Sequence, residues 1–113
     1  MNVKDFLARL GQDDSLDFED TIATISAHYD YHPTAFDNGP VHNDAGQNEG
    51  SCKIFAFASR NGLDQARTLA CFGRFYRDVC ATPEGTDHGN IRAFMQHGWE
   101  GIRFNGEALI EKT

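Results

Sequence analysis

Apolar residues recur along most of the chain at three- and four-residue intervals, and that spacing lays out its helices. Val3, Phe6, Leu7 and Leu10 predict a short first helix that Gly11 stops in a left-handed conformation. Gln12 to Leu16 reads as a polar connection. Asp17 then caps a helix whose Phe18, Ile22, Ile25 and Tyr29 form one stripe, and Pro33 ends it by disfavouring helical geometry at His32. Ile54 to Ala58 fits a buried strand as well as a buried helix, and its flanking caps favour helix. From Asp64, the residues Leu69, Phe72, Tyr76 and Val79, widened by Phe75, predict one long helix. Pro83-Glu84-Gly85 breaks the chain before Asp87 caps a last helix with Ile91, Phe94 and Met95 inward. Gly98 stops that helix, and Trp99 is expected to fold back on its final turn.

Asn-Gly occurs three times, and context decides its reading. Asn105-Gly106, between Ile102-Arg103-Phe104 and Glu107 to Ile110, is a strong short hairpin signal. Asn38-Gly39 joins Ala35-Phe36-Asp37 to Pro40-Val41-His42 as a second hairpin, with Pro40 suited to an edge because it cannot donate to a ladder. Asn61-Gly62 precedes Leu63-Asp64 and reads as a turn between helices. The expected fold is α+β: four to five short helices packed with a small antiparallel sheet formed from the two Asn-Gly hairpins.

A length of 113 residues suits a single domain, 1–113, able to bury a core without staples. Nine Phe supply much of that core. The amino terminus lacks the basic start and apolar run of a signal peptide, and no apolar stretch approaches the roughly 18 residues that span a bilayer. A cytoplasmic location without membrane association is the expectation, with three reduced cysteines.

Net charge is −7, unevenly spread. Residues 1–50 carry ten acids against two bases, whereas residues 51–113 carry seven against eight. An acidic front half repels phosphate backbones, so nucleic acid is a poor partner. Lys53, Arg60, Arg67, Arg74 and Arg77 are expected mainly to face the acidic amino-terminal helices.

The densest functional signal is NDAGQNEGSCK, Asn43 to Lys53, a stretch without a large apolar residue ahead of a buried helix. Gly46 and Gly50 allow close approach of a ligand to the backbone, and Asn48, Glu49 and Ser51 offer donors and acceptors together. Cys52 is expected in the first helical turn, where free amides and the helix dipole lower a thiol pKa. A catalytic reading makes Cys52 the nucleophile with His42 or His88 as base; a plain loop beside a small buried thiol is the bland one. His28 and His32 have the four-residue spacing of a zinc pair, but Pro33 takes His32 off the helix and no third ligand is near, so no metal is expected. Arg74 and Arg77 could clamp an anion, and Asp87, His88, Asn90 and Arg92 gather where the last helix begins. GxGxxG, GxxxxGK[ST], GxSxG and HExxH are all absent.

Asn38-Gly39, NDAGQNEGSCKIFAFA from Asn43, TLACFGRFYRDV from Thr68 and TDHGNIRAFMQHGWEGI from Thr86 together resemble the HopJ type III effector protein family. The resemblance spans nearly the whole chain, from the second helix to the final hairpin. Its name implies delivery into a host cell; it implies no enzymatic activity and no cofactor. The distinctive polar residues it carries onto this chain are Asn43, Gly46, Asn48, Gly50, Ser51, Cys52, Lys53, Arg77, Asp87, His88, Asn90 and Arg92. The resulting expectation is a small binding or interaction domain for an anionic ligand or a protein partner. Its pocket would draw on Asn43, Asn48, Glu49, Ser51, Lys53, Arg77, Asp87 and Arg92, and the alternative is a cysteine enzyme using Cys52 and His88.

Overall fold

A computed structural model describes residues 2–13 and 15–112; Asp14, in the expected Gln12–Leu16 connection, lies outside the described residues. The helices are α1 (Val3–Arg9), α2 (Phe18–His28), α3 (Glu49–Arg60), α4 (Gln65–Ala70), α5 (Arg74–Ala81) and α6 (Gly89–His97), the last running into a 3-10 turn at Gly98–Gly101. The strands are β1 (Tyr29–Tyr31), β2 (Phe36–Asn38), β3 (Val41–Asn43), β4 (Ile102–Phe104) and β5 (Leu109–Glu111). The chain is therefore α+β, with small antiparallel sheets.

Capping chemistry sets several of the helix starts. Asn2 accepts from the Asp5 amide at 2.7 Å, and Asp64 accepts from the Arg67 amide at 2.9 Å. At α2 the Asp17 amide donates to Asp20 Oδ2 at 2.8 Å, completing a capping box.

Asp17 also explains why the expected long helix is two. Its Oδ1 accepts from the Phe18 amide and from the Arg74 amide, each at 2.8 Å, so one carboxylate serves the starts of α2 and α5. Arg74 and Arg77 reach the same carboxylate from α5, at 3.5 and 3.6 Å, and Arg74 also grips Glu19. Hydrogen bonding to the Arg74 and Phe18 amides holds the Asp17 carboxyl below its ordinary pKa. The contact requires the chain to turn at Gly73, whose φ of +57° and ψ of −128° suit glycine alone. Among the described residues there are six helices where four to five were expected.

The C-terminal segment departs furthest from expectation. Asn105-Gly106 closes no hairpin, because β4 pairs with β2 (Phe36 with Phe104, Asn38 with Ile102) and β5 pairs with β1 (Tyr29 with Glu111). Residues 28–38 and 102–112 thus run antiparallel, and the Asn105 amide donates to Ala35 O at 3.0 Å while the Lys112 amide donates to His28 O. Pro33, which has no amide to offer, interrupts one side; Asn105-Gly106 jogs the other, with Gly106 facing Thr34. Among the described residues two sheets replace the single one expected, β1-β5 and β3-β2-β4. β2 and β3 form a hairpin whose loop is Gly39-Pro40, with Asn38 still inside β2 and paired to Val41.

Phe55, fully buried on α3, centres the core and touches the rings of Phe36, Phe72, Phe94 and Trp99 at centroid distances of 4.9 to 6.5 Å. Ile54 to Ala58 are all buried, which settles that ambiguous run as an interior helix. Trp99 does fold back on α6, packing on Phe94 and donating from Nε1 to Leu63 O at 3.0 Å. Met95 is exposed rather than inward.

A Cβ at position 73 would overlap the Asp17 carboxylate and lie 2.5 Å from the Phe18 amide nitrogen. Gly73→Ala is therefore expected to cost roughly 3 kcal/mol in urea unfolding, from backbone strain and steric overlap together. An unchanged midpoint would show that the α2–α5 junction is not held as described.

Candidate functional site

The segments leading into α3 and α6 are built alike. Asn48 (φ 50°, ψ 49°) and His88 (φ 52°, ψ 48°) precede the two helices in the left-handed conformation, and neither helix carries a side-chain cap. Left-handed backbone is uncommon for residues other than glycine, with Asn and His among the more tolerant. Intrahelical bonding begins only at the Cys52 amide, to Asn48 O at 3.0 Å, and at the Arg92 amide, to His88 O at 3.1 Å. The three amides before each lack an intrahelical acceptor and carry the positive end of the helix dipole.

Both starts open on one cavity of about 430 Å³. Asn48, Gly50 and Ser51 line it from α3, and His88, Gly89, Asn90 and Ile91 line it from α6. Phe18, Val41, Phe72 and Phe75 supply an apolar wall. Phe18 and Phe75 meet edge to face at 5.0 Å, and the His88 ring lies 5.4 Å from Phe75. The site joins apolar surface to two sets of amide donors and one imidazole, an arrangement suited to a ligand with a flat apolar body and an acceptor group.

Behind the cavity four asparagines interlock. Asn43 Nδ2 donates to Asn90 Oδ1 at 3.1 Å, and Asn90 Nδ2 returns a bond to Asn43 Oδ1 at 2.9 Å. Asn38 Nδ2 donates to Asn90 O at 2.7 Å, and Asn48 Nδ2 donates to Asn43 Oδ1, also at 2.7 Å. Asn38 and Asn43 are fully buried, so these amides depend on one another for hydrogen bonding.

The residues expected to share a pocket are partly dispersed. Asn48, Ser51 and His88 line the cavity, and Asn43 lies behind it. Glu49 is exposed on the first turn of α3, and Lys53 stands over the Tyr31 ring at 4.7 Å. Arg77 is at Asp17 rather than in the cavity. Asp87 does not cap α6: its carboxylate takes Arg92 Nη2 at 2.7 Å, while Arg92 Nη1 donates to Thr82 O at 2.8 Å, which closes the 82–92 connection on itself. That clasp holds Asp87 below its usual pKa.

Cys52 does not have the expected electropositive setting. It is the fourth residue of α3, buried, with its Sγ 3.5 Å from Thr34 O, and burial raises its pKa. A raised pKa is the reverse of what a thiolate nucleophile needs. His42 is on the far side of the hairpin, between Asp37 and Asp44. His28 ends α2 and His32 lies beyond β1, and among the described residues no group of His, Cys, Asp and Glu could hold a metal. No helix among them is long and apolar enough to cross a membrane.

Sequence reasoning treated Phe18, Phe72 and Phe75 simply as helix stripe and gave Asn38 no role of its own. The available signal was an asparagine close to the glycine in the first turn of each helix, Asn48 two residues before Gly50 and Asn90 just after Gly89.

Two measurements check this geometry. Iodoacetamide is expected to alkylate exposed Cys80 first, with Cys52 and Cys71, the latter pushed up to about 12 by burial, modified only on unfolding. Asn43→Ala removes the partner of both Asn90 and Asn48 and is expected to cost about 2 kcal/mol in chemical denaturation, the price of stranded buried amides. Rapid Cys52 alkylation, or an Asn43→Ala protein as stable as the parent, would contradict the burial described.

No curated protein matches the chain. A crystal structure described as that of an unknown function protein, VPA0580, superposes with a TM-score of 0.96 at 54% identity, covering 99% of this chain and 95% of that one. The pattern of the family described as HopJ type III effector protein matches residues 3–109, from the first residue of α1 into β5. The chain belongs to the HopJ type III effector protein family.

Proposed function

We propose that the chain is one binding domain whose cavity between the starts of α3 and α6 takes a small molecule with a flat apolar body and an anionic group. The observation that carries this reading is the meeting of two helix amino termini, both without side-chain caps, at one aromatic-walled cavity. A carboxylate or phosphate there would accept hydrogen bonds from the Ser51 and Gly89 amides and sit at the positive ends of two dipoles. Its apolar part would lie against Phe18, Phe72 and Phe75. His88 stands at the same wall and adds positive charge whenever it is protonated. A volume of about 430 Å³ is within the size of small-molecule pockets.

The work assigned to this domain is recognition, and the ligand group could also be a side chain or terminus presented by a protein partner. We place it in the cytoplasm, either of the cell that makes it or, as the family name implies, of a host cell reached through type III secretion. The acidic front half argues against nucleic acid as the partner.

Benzoate and phenyl phosphate, with toluene as the uncharged control, are suitable probes for amide NMR titration. The two anions are expected to shift the amides of Ser51, Gly89 and Ile91, and toluene to shift them far less. A Cβ built at Gly89 meets nothing within 4 Å and Gly89 lines the cavity, so Gly89→Phe should leave the fold intact while crowding the site, and weaken those shifts. The reading fails if neither anion moves these amides, or if Gly89→Phe binds as the parent does.

A further inference from the structure

His42 lies outside the cavity, and its surroundings are unusual. Its Nδ1 is 2.6 Å from Asp37 Oδ1 on β2, and its Nε2 is 3.0 Å from Asp44 Oδ1 in the connection to α3. A neutral imidazole has one N–H and one lone pair, whereas an ionised carboxylate only accepts. Both contacts are therefore satisfied together by the imidazolium, which donates from both nitrogens. We infer that His42 is a proton-operated latch: protonated, it ties Asp44 to the β2-β3 hairpin and so fixes the segment that carries Asn48 to the cavity rim.

The connection shows how a change at Asp44 travels. Asp44 opens a turn in which the Gln47 amide donates to Asp44 O at 2.9 Å and Gln47 Oε1 accepts from the Asp44 amide at 3.3 Å. The next residue is Asn48, tied back to Asn43. His42 and Asp44 flank Asn43, so the latch sits on either side of the buried asparagine that joins hairpin, α3 and α6. When the imidazole loses a proton, one of its two carboxylate contacts loses its donor, and Asp44 is the partner outside the sheet.

Other charges near the latch are few. On β4, Arg103 stands opposite Asp37 in register. From α6, which packs behind the hairpin, His97 lies against Gly39 at the turn, and Arg92 is engaged by Asp87 and Thr82. The hydrogen bond to Asp37, followed by that to Asp44, raises the pKa of His42 above the ordinary histidine value. A raised folded-state pKa means that the latch is closed at lower pH and opens as pH rises through that folded value. The three side chains are solvent-exposed, so added salt weakens the latch.

The inference is independent of what occupies the cavity, and the whole protein without ligand tests it. NMR titration from pH 5 to 9 at low salt follows the His42 ring and the amides of residues 44–48. The His42 midpoint is expected above that of an unstructured histidine, with the amides of Asp44, Gly46 and Asn48 shifting at the same midpoint. Asp44→Asn should lower the His42 midpoint and remove the linked shift at Asn48, while amides in the α3 core stay in place. An ordinary His42 midpoint, amides of 44–48 that do not follow it, or an Asp44→Asn protein that titrates as the parent does would each overturn the latch. A second variant, Asp37→Asn, should also lower the midpoint but leave the linked shift at Asn48, which separates the two arms.

Discussion

The cyclic pair of hydrogen bonds between the Asn43 and Asn90 side chains is the constraint on which the arrangement of the site depends. It joins the last residue of β3 to the first turn of α6, and Asn48 adds the start of α3 to the same amide group. An amide is suited to this because it donates and accepts through one planar group, so two of them close a ring that neither a carboxylate pair nor a hydroxyl pair reproduces. Burial gives the pair its force, since an amide stranded away from water costs more than a made bond gains. The end of β3 and the start of α3, five residues apart, are held in one register with the distant start of α6 by that asymmetry.

A second junction frames the cavity from the opposite side. Asp17, in the acidic front half of the chain, receives the start of α5, with Arg74 and Arg77 around it. Phe18 and Phe75, each next to a residue of that junction, are thereby set edge to face as the cavity wall. The uneven charge along the sequence thus finds part of its physical meaning inside the molecule: arginines of the second half neutralise carboxylates of the first.

Much of this was legible in the sequence, for reasons that differ by element. The stripe of α2 and the fold-back of Trp99 follow from periodicity and local end signals, which act over a few residues. The split of α4 from α5 does not, because Gly73 turns there to meet Asp17, a partner 56 positions away in the chain. Asn105-Gly106 carried a genuine local preference that pairing with residues 28–38 overrode. At the site, the Asn43–Lys53 stretch does lead into a helix start, at Glu49. Cys52, the fourth residue of α3, turns its thiol into the core, so burial outweighs the helix amides that were expected to lower its pKa.

The exchange of strands between residues 28–38 and 102–112 bears on how the chain reaches this state. Neither β1 nor β2 can complete its sheet until a segment some 70 residues later arrives, so a large loop must close before those ladders repay its entropy. The hydrogen bonds within helices α1 to α6 are local and close no such loop. An intermediate with its helices collapsed but residues 102–112 unplaced would expose the open edges of β1 and β2 together, which makes the late-arriving segment the guard against association between partly folded chains.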